Sequence, residues 1–295
     1  MATIDRLTPA LDADVVSFES QAGRLTYYVA GDGPPLLLIH SINAAGSAYE
    51  VKPLFDHYRT TRRVYALDLP GFGLSDRSDR PYDIALYTAA ITALAVRIVA
   101  EHDGDPTDAL ALSLSSEFLA RSAGEQADVY RRLALITPTG FRASDANRRA
   151  APLSSREIGW LSGLLSLGAL GGGAFRLLTK PGSIRYFLKR TFGSEAIDEG
   201  LWRYAVATTR QPGAEYAPLA FISGRLFAND IRSVYESLSL PVYVGHGTRG
   251  DFTDFRGAAW THSRTNWTLQ SFASGALPQF EVPNELYRAL DAFWA

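Results

Sequence analysis

Short apolar runs alternate along most of this chain with segments in which apolar residues recur at helical spacing. A strand that is buried on both faces needs a continuous apolar run, and such strands occur in parallel sheets covered by helices. The runs that we interpret as strands are residues 25–30, 35–40, 63–69, 109–112, 132–136, 241–246 and 267–272. Their alternation with helical segments predicts an α/β sheet in which most strands are parallel.

Helical spacing is clearest in residues 84–100, which follow Asp83 as a candidate N-cap, and residues 285–294 are expected to form a final helix. Between residues 142 and 238 the alternation stops, because this segment has helical patterning throughout. We therefore predict a core of residues 1–141 and 239–295, with a helical cap inserted at residues 142–238. Residues 158–175 carry no charge, but their glycines and serines favour a cap that lines a pocket over a membrane span. No membrane span is expected.

Composition limits the classes of partner. The 295 residues are 46% apolar, which suits one domain with a large insertion, and the net charge is -2. Because no run of one charge sign exists, we expect no nucleic acid and favour a small neutral, apolar molecule as the partner. The absence of cysteine excludes disulfides and thiolate chemistry. The first residues lack the apolar segment of a signal peptide, so we predict a cytoplasmic protein. The oligomeric state is left open.

Ser113 stands where an apolar run, residues 109–112, meets a segment with helical spacing, residues 115–123. A sharp turn from strand to helix presents its central side chain at the end of a sheet, and it needs small residues two positions before and after. Ala111 and Ser115 meet this need without the usual glycines. The pattern predicts a nucleophile at Ser113 or a serine that caps the helix, and one residue can do both.

Four local patterns point to one family. They are Leu37-Leu38-Ile39-His40-Ser41, Asp68-Leu69-Pro70-Gly71-Phe72-Gly73-Leu74-Ser75-Asp76, the turn at Ser113, and Gly275-Ala276-Leu277-Pro278. Together they resemble the α/β-hydrolase superfamily, in particular its capped branch of small esterases, epoxide hydrolases and haloalkane dehalogenases. The resemblance covers nearly the whole chain. It implies an α/β-hydrolase fold, with a mostly parallel eight-stranded sheet and a helical cap insertion.

The resemblance also implies where a substrate would bind. In such families the loop after the third strand and the residue after the nucleophile each donate a backbone N–H to an oxyanion hole. Here these donors would be Ile42 and Leu114, with Ser113 as the nucleophile. On the same loop, Asn43 either adds a side-chain donor or forms a turn. The residues expected to contact substrate are Ser41, Asn43, Trp160, Leu164 and Phe175.

The triad that should activate Ser113 is incomplete by the same resemblance. The family's histidine follows the last strand, where this chain has Ala276, and alanine cannot accept a proton. The position of the acid corresponds to Gly250. Asp251 is the nearest carboxylate, although it can instead pair with an arginine. If the scaffold is otherwise intact, Ala276→His together with Gly250→Asp is expected to raise esterase activity.

None of the five histidines stands in the expected place. His40 is the nearest in the expected topology, although the resemblance implies a structural role for it. His246 and His262 are the other candidate bases, and His57 and His102 are expected at helix ends on the surface. No histidine pair has metal-ligand spacing and no glycine-rich loop follows the first strand, so we expect no metal and no cofactor.

Three functions remain open at this point. The first is a serine hydrolase of esterase type that acts on a small apolar ester or acyl substrate, with Ser113 as nucleophile and Asp251 or His40 as weak candidates for its partners. The second is a non-catalytic member of the fold whose pocket binds an apolar ligand or a partner protein. The third is a structural subunit that uses the surface of residues 158–175. Turnover that depends on Ser113 separates the first function from the second.

Overall fold

The structure, a computed structural model, describes residues 6–145, 153–159 and 168–295. Its strands are β1 (Asp14–Ser20), β2 (Gly23–Ala30), β3 (Pro35–Ile39), β4 (Arg63–Asp68), β5 (Thr107–Leu112), β6 (Tyr130–Ile136), β7 (Val242–Gly247) and β8 (Trp267–Phe272). They form one eight-stranded sheet in the order β1-β2-β4-β3-β5-β6-β7-β8. The pairs β1–β2 and β2–β4 are antiparallel, and all other neighbours are parallel. The predicted α/β-hydrolase sheet is therefore confirmed.

Helices cover both faces of this sheet. The described α-helices are α1 (Lys52–Tyr58), α2 (Ile84–Glu101), α3 (Ser115–Glu125), α4 (Gly168–Leu178), α5 (Pro181–Phe192), α6 (Glu199–Thr208), α7 (Tyr216–Ile222), α8 (Ile231–Ser237), α9 (Pro278–Glu281) and α10 (Pro283–Trp294). Short 3-10 helices are formed by Ala48–Val51, Ala127–Val129, Ala143–Asp145 and Arg256–Ser263. One apolar layer contains α2 and α3, and the other contains α1 and α10. Burial on both faces explains why the inner strands are continuous apolar runs.

The seven predicted strands match β2 to β8 to within two residues at each end. The edge strand β1 was not among them, because it alternates exposed and half-buried residues and Val15 is exposed. The N-cap prediction for α2 is confirmed, since the Asp83 side chain accepts a hydrogen bond from Leu86 N at 2.8 Å.

One helix in the described part of the chain, α2, has the length and apolar composition of a membrane span. One face of α2 packs into the core through Tyr87, Ile91, Leu94 and Ile98, all of which are buried. Packing against the sheet and α3 accounts for the apolar character of this face.

The segment between β6 and β7, which we call the insertion, contains α4 to α8 in its described residues. Buried polar contacts join it to the sheet domain. Arg121 on α3 binds both carboxylate oxygens of Asp230 at 3.2 and 2.7 Å, just before α8 begins. Arg77, after β4, donates to the carbonyl and hydroxyl oxygens of Thr208 at 3.1 and 2.7 Å. The insertion is thus held to the core at two separate places, while the boundaries at residues 142 and 238 stay a prediction.

Candidate functional site

Ser113 lies in the sharp turn between β5 and α3. Its φ is +52°, in the left-handed region that non-glycine residues rarely adopt, and its N–H donates to Ile136 O at 2.9 Å. The small residues two positions away, Ala111 and Ser115, are fully buried, and Ser115 Oγ donates to His40 O at 2.6 Å. The predicted strand-to-helix turn is therefore present, and it holds Ser113 in a strained backbone conformation at the end of the sheet.

Ser113 lines a cavity of about 500 Å³ between the sheet domain and the insertion. The sheet side contributes Ile42, Leu112 and Leu114 beside Ser113. Apolar side chains of the insertion form the facing wall: Leu178, Ile184, Phe187, Leu188, Leu201, Ala205, Phe221 and Phe227. A cavity of this size with mostly apolar walls suits a small organic molecule.

Of the residues predicted to contact substrate, Ser41 and Asn43 line this cavity. Phe175 does not, because it is buried within α4 and is 4% exposed. Trp160 and Leu164 lie outside the described residues. The wall that the sequence assigned to residues 160–175 is formed in the described residues by α5, α6 and α7, together with Leu178 at the end of α4.

The backbone N–H groups of Ile42 and Leu114 have no acceptor among the described residues, and both residues line the cavity beside Ser113. Each residue is almost completely buried, with 2% and 1% exposure. Buried N–H groups in native proteins are nearly always paired, so these two are free to bind an oxygen of a ligand or a water.

A buried carboxyl group holds the loop that carries Ile42. Glu50 Oε2 accepts from Ser41 N at 2.8 Å, and Oε1 accepts from Asn43 Nδ2 at 2.7 Å. Burial raises the pKa of Glu50, and the hydrogen bonds from the loop oppose that shift. Asn43 Oδ1 also accepts from Ala45 N at 2.7 Å, which is the turn-forming alternative predicted for this residue. Glu50 was not singled out from the sequence, where it resembles any acidic residue at the start of a helix.

None of the five histidines lines the cavity. His40 was the nearest candidate base, but both of its ring nitrogens bond to backbone: Nδ1 donates to Ser41 O at 2.7 Å and Nε2 accepts from Leu69 N at 3.0 Å. The ring is fully buried, and its two bonds hold the loop after β3 against the segment after β4. This bonding favours the structural role that the resemblance implied for His40, while its candidate role as a base stays a prediction.

The other histidines are occupied elsewhere. His246 stacks on Phe255 with 3.9 Å between ring centroids and donates from Nδ1 to Gly247 O, and burial lowers its pKa. Phe255 lines the cavity, whereas His246 does not. His262 is exposed in the 3-10 helix Arg256–Ser263, His57 stacks on Tyr287, and His102 bonds to Tyr65. The cavity therefore contains no imidazole for Ser113.

Asp251, the candidate acid, lines the cavity but is paired with the insertion. Both of its carboxylate oxygens accept hydrogen bonds from Arg190 of α5, at 2.6 and 2.7 Å. The two side chains are 42% and 50% exposed. This is the arginine pairing that the sequence left open as the alternative, and it leaves Asp251 oriented toward a guanidinium instead of an imidazole.

The last turn of α5, residues 190–193, lies against the two loops that would carry a triad. Ala276 N donates to Thr191 O at 2.8 Å. A Cβ added to Gly275 would lie 2.4 Å from the carbonyl carbon and oxygen of Phe192. Gly250 has a φ of +78°, and a Cβ there would lie 2.5 Å from Arg190 O. The insertion thus contacts the backbone of the β7 and β8 loops, and at Gly250 and Gly275 the contact leaves no room for a Cβ.

Charged residues also reach the cavity, mostly as ion pairs. Asp145 accepts from Arg156 at 3.0 Å, and Asp254 accepts from Arg256 at 2.9 Å. The lining of the cavity therefore contains more charged side chains than the apolar composition of the insertion predicted. The described residues contain no group of three or more His, Asp or Glu side chains arranged to hold a metal ion.

A second buried carboxyl group connects the cavity wall to the insertion. Glu117 lies on α3, one turn after Ser113, and accepts hydrogen bonds from the hydroxyl of Thr139, a lining residue, and from Ala228 N at 3.0 Å. Burial raises the pKa of Glu117 to about 7, and its hydrogen bonds and Arg156 oppose the shift. The folded protein therefore binds this proton more tightly than the unfolded chain does.

Glu117→Gln is expected to remove a pH dependence of stability. Because the pKa of Glu117 is raised from 4.5 to about 7 on folding, the free energy of unfolding should fall as the pH rises between these values. The loss is up to about 3 kcal/mol and is complete above the folded pKa. Glutamine keeps an acceptor for Ala228 N and remains neutral, so the variant should match wild type at pH 4.5 and exceed it at pH 8. Urea unfolding at both pH values measures this, and parallel curves for the two proteins would refute it.

Comparison with known proteins agrees with this architecture. Residues 36–289 match the model of the Alpha/beta hydrolase family. The chain therefore belongs to the α/β-hydrolase family. No curated protein sequence matches the chain.

Solved structures of hydrolases share the fold at low sequence identity. The epoxide hydrolase CorEH has a TM-score of 0.72 and 19% identity, with 95% of this chain and 98% of that chain covered. A probable hydrolytic enzyme from Pseudomonas aeruginosa PAO1 has a TM-score of 0.71 and 17% identity, with 96% and 94% covered. A thermophilic esterase from Thermogutta terrifontis has a TM-score of 0.71 and 16% identity, with 96% and 98% covered. At these identities the similarity establishes the fold alone.

Proposed function

We propose that this protein binds a small apolar carbonyl compound in the cavity at Ser113 and lacks efficient esterase turnover. One observation carries the proposal. The cavity has the strand-to-helix turn at Ser113 and the N–H groups of Ile42 and Leu114 without acceptors, but none of the five histidines lines it. The proposal favours the ligand-binding alternative over the esterase that the sequence placed first.

Serine chemistry disfavours turnover at this site. A hydroxyl is a weak nucleophile at neutral pH and needs a base that accepts its proton. The nearest histidine in the fold, His40, has both nitrogens bonded to backbone, and Asp251 is bonded to Arg190. Loss of a triad member costs roughly four to six orders of magnitude in rate. Ser113 is then expected to act as a hydrogen-bonding group in a binding site.

The two N–H groups beside Ser113 that lack an acceptor favour a carbonyl ligand. The N–H groups of Ile42 and Leu114 would act as an oxyanion-hole pair and bind a carbonyl oxygen in the ground state. The apolar wall from α5, α6 and α7 then contacts the hydrocarbon part of the molecule. The same donors favour slow ester hydrolysis as a second candidate, because an oxyanion hole and binding alone leave on the order of a thousandfold acceleration over water.

A solvatochromic aryl ketone such as prodan tests the proposal without knowledge of the natural ligand. We expect saturable binding at one site, with emission shifted to the blue as the probe leaves water. Ala205→Phe, which fills the cavity from α6, should weaken binding by about tenfold or more. Ala207→Phe is the matched control, because Ala207 is exposed on the same helix and does not line the cavity. It should leave binding unchanged.

Two outcomes would overturn the proposal. One is the absence of saturable prodan binding by wild type, or an equal effect of the two phenylalanine variants. The other is rapid hydrolysis of para-nitrophenyl butyrate that disappears in Ser113→Ala, which would identify an efficient serine esterase. Thermal unfolding checks that Ala205→Phe is folded, and Ala205→Leu serves as the smaller substitution if it is not.

A further inference from the structure

We infer that Ala276 sets the length of the alkyl group that a bound carbonyl compound can carry, so that a larger residue at this position would restrict the cavity to shorter acyl groups. This inference rests on the proposed function and narrows its ligand class. Ala276 occupies the position of the family's histidine, and it lines the same cavity as Ser113.

A path of hydrogen bonds connects the loop that carries Ala276 to the turn that carries Ser113. Ser113 N donates to Ile136 O at 2.9 Å, and the next residue after Ile136 is Thr137. Thr137 Oγ1 in turn donates to Ala276 O at 3.0 Å. The loop after β8 is thus tied to the end of β6, which is tied to the serine turn after β5.

Both polar groups of the Ala276 backbone are occupied by hydrogen bonds within the protein. Its N–H donates to Thr191 O of α5 at 2.8 Å, and its carbonyl accepts from Thr137. The methyl group is the part that remains to line the cavity, and the residue is 9% exposed. The backbone on both sides is held as well, since Gly275 packs on Phe192 and Leu277 is 7% exposed.

Because the backbone at Ala276 is held by these contacts, it cannot move to make room for a larger ligand. Well-packed backbone gives little when a side chain grows, so a longer residue at position 276 would extend into the cavity and occupy ligand volume. The bulky part of a ligand has room against the apolar wall of the insertion, where several side chains can change rotamer. We therefore expect the smaller alkyl substituent of the carbonyl compound to contact Ala276.

Two probes that share a chromophore and differ by one methylene test this assignment: the methyl ketone acedan and the ethyl ketone prodan. Wild type should bind prodan about fourfold more tightly, the gain expected for one buried methylene. Ala276→Leu should weaken prodan binding by about tenfold or more. It should weaken acedan binding less, so that the preference for prodan is lost or reversed. Ala276→Val should give an intermediate loss and remains informative if the leucine variant does not fold.

Ala273→Leu is the matched control, because Ala273 is exposed in the same loop and does not line the cavity. It should leave both affinities and their ratio unchanged. If both probes bind wild type and Ala276→Leu changes them equally or not at all, the inference is overturned while the proposed function stands. If neither probe binds wild type, the proposed function itself fails.

Discussion

Replacing Gly275 with alanine is expected to lower the free energy of unfolding by about 3 kcal/mol or more. The added methyl group would lie 2.4 Å from the backbone atoms of Phe192 and from Thr191 O. Backbone atoms cannot rotate away as a side chain can, so α5 must move and stretch the adjacent bond between Ala276 N and Thr191 O. Chemical denaturation measures this difference in the free energy of unfolding, provided that its dependence on denaturant concentration has the same slope in variant and wild type.

Gly124→Ala is the control for this substitution. Gly124 lies near the end of α3, and a Cβ there would meet nothing within 4 Å. Alanine in a helix should leave stability unchanged or raise it by up to about 1 kcal/mol. If Gly275→Ala also stays within that range, α5 does not pack against the β8 loop as tightly as described.

The same packing bears on the expectation that two substitutions would rebuild a triad. That expectation does not hold for Gly250, because its φ of +78° is strained for an aspartate and Arg190 O lies 2.5 Å from the added Cβ. Ala276 already has a Cβ, so Ala276→His is sterically simpler but gains no acid that is free of Arg190. The packing of the insertion therefore opposes a carboxylate at position 250 through the backbone as well as through Arg190.

The local features of the fold were predictable because they depend on neighbouring residues. The buried strands, the Asp83 cap and the turn at Ser113 each follow from a short pattern with one physical cause. Strand β1 was missed because an edge strand has a solvated face and gives no continuous apolar run. The wall of the cavity was only partly predicted, since helical spacing in the insertion shows which residues are apolar but not which helix faces Ser113.

The roles of the polar residues at the site depend on contacts between segments that are far apart in the sequence. The spacing of residues along the chain does not reveal such contacts. Ser41, Ile42, Asn43 and Leu114 line the cavity as the resemblance implied. The role of His40 is decided by Leu69 N, and that of Asp251 by Arg190. Both partners come from other parts of the chain. Sequence could show that a base was missing from its usual place, and only the fold shows that none of the five histidines replaces it.

The most direct test of the central claim is the rate at which a fluorophosphonate labels Ser113 at neutral pH. Such a probe reacts with an activated serine hydroxyl at an oxyanion hole and needs no knowledge of the natural ligand. A serine hydrolase with an intact triad, treated in parallel, provides the reference rate. Ser113→Ala identifies labelling at any other residue, and peptide mapping locates the adduct.

We predict slow and incomplete labelling that is confined to Ser113 and absent in Ser113→Ala. The rate should be lower than the reference by about three orders of magnitude or more, because none of the five histidines lines the cavity to accept the hydroxyl proton. Intact mass measured over time gives both the rate and the final stoichiometry. Rapid, stoichiometric modification of Ser113 at a rate close to the reference would contradict the account and require an activating base in the cavity.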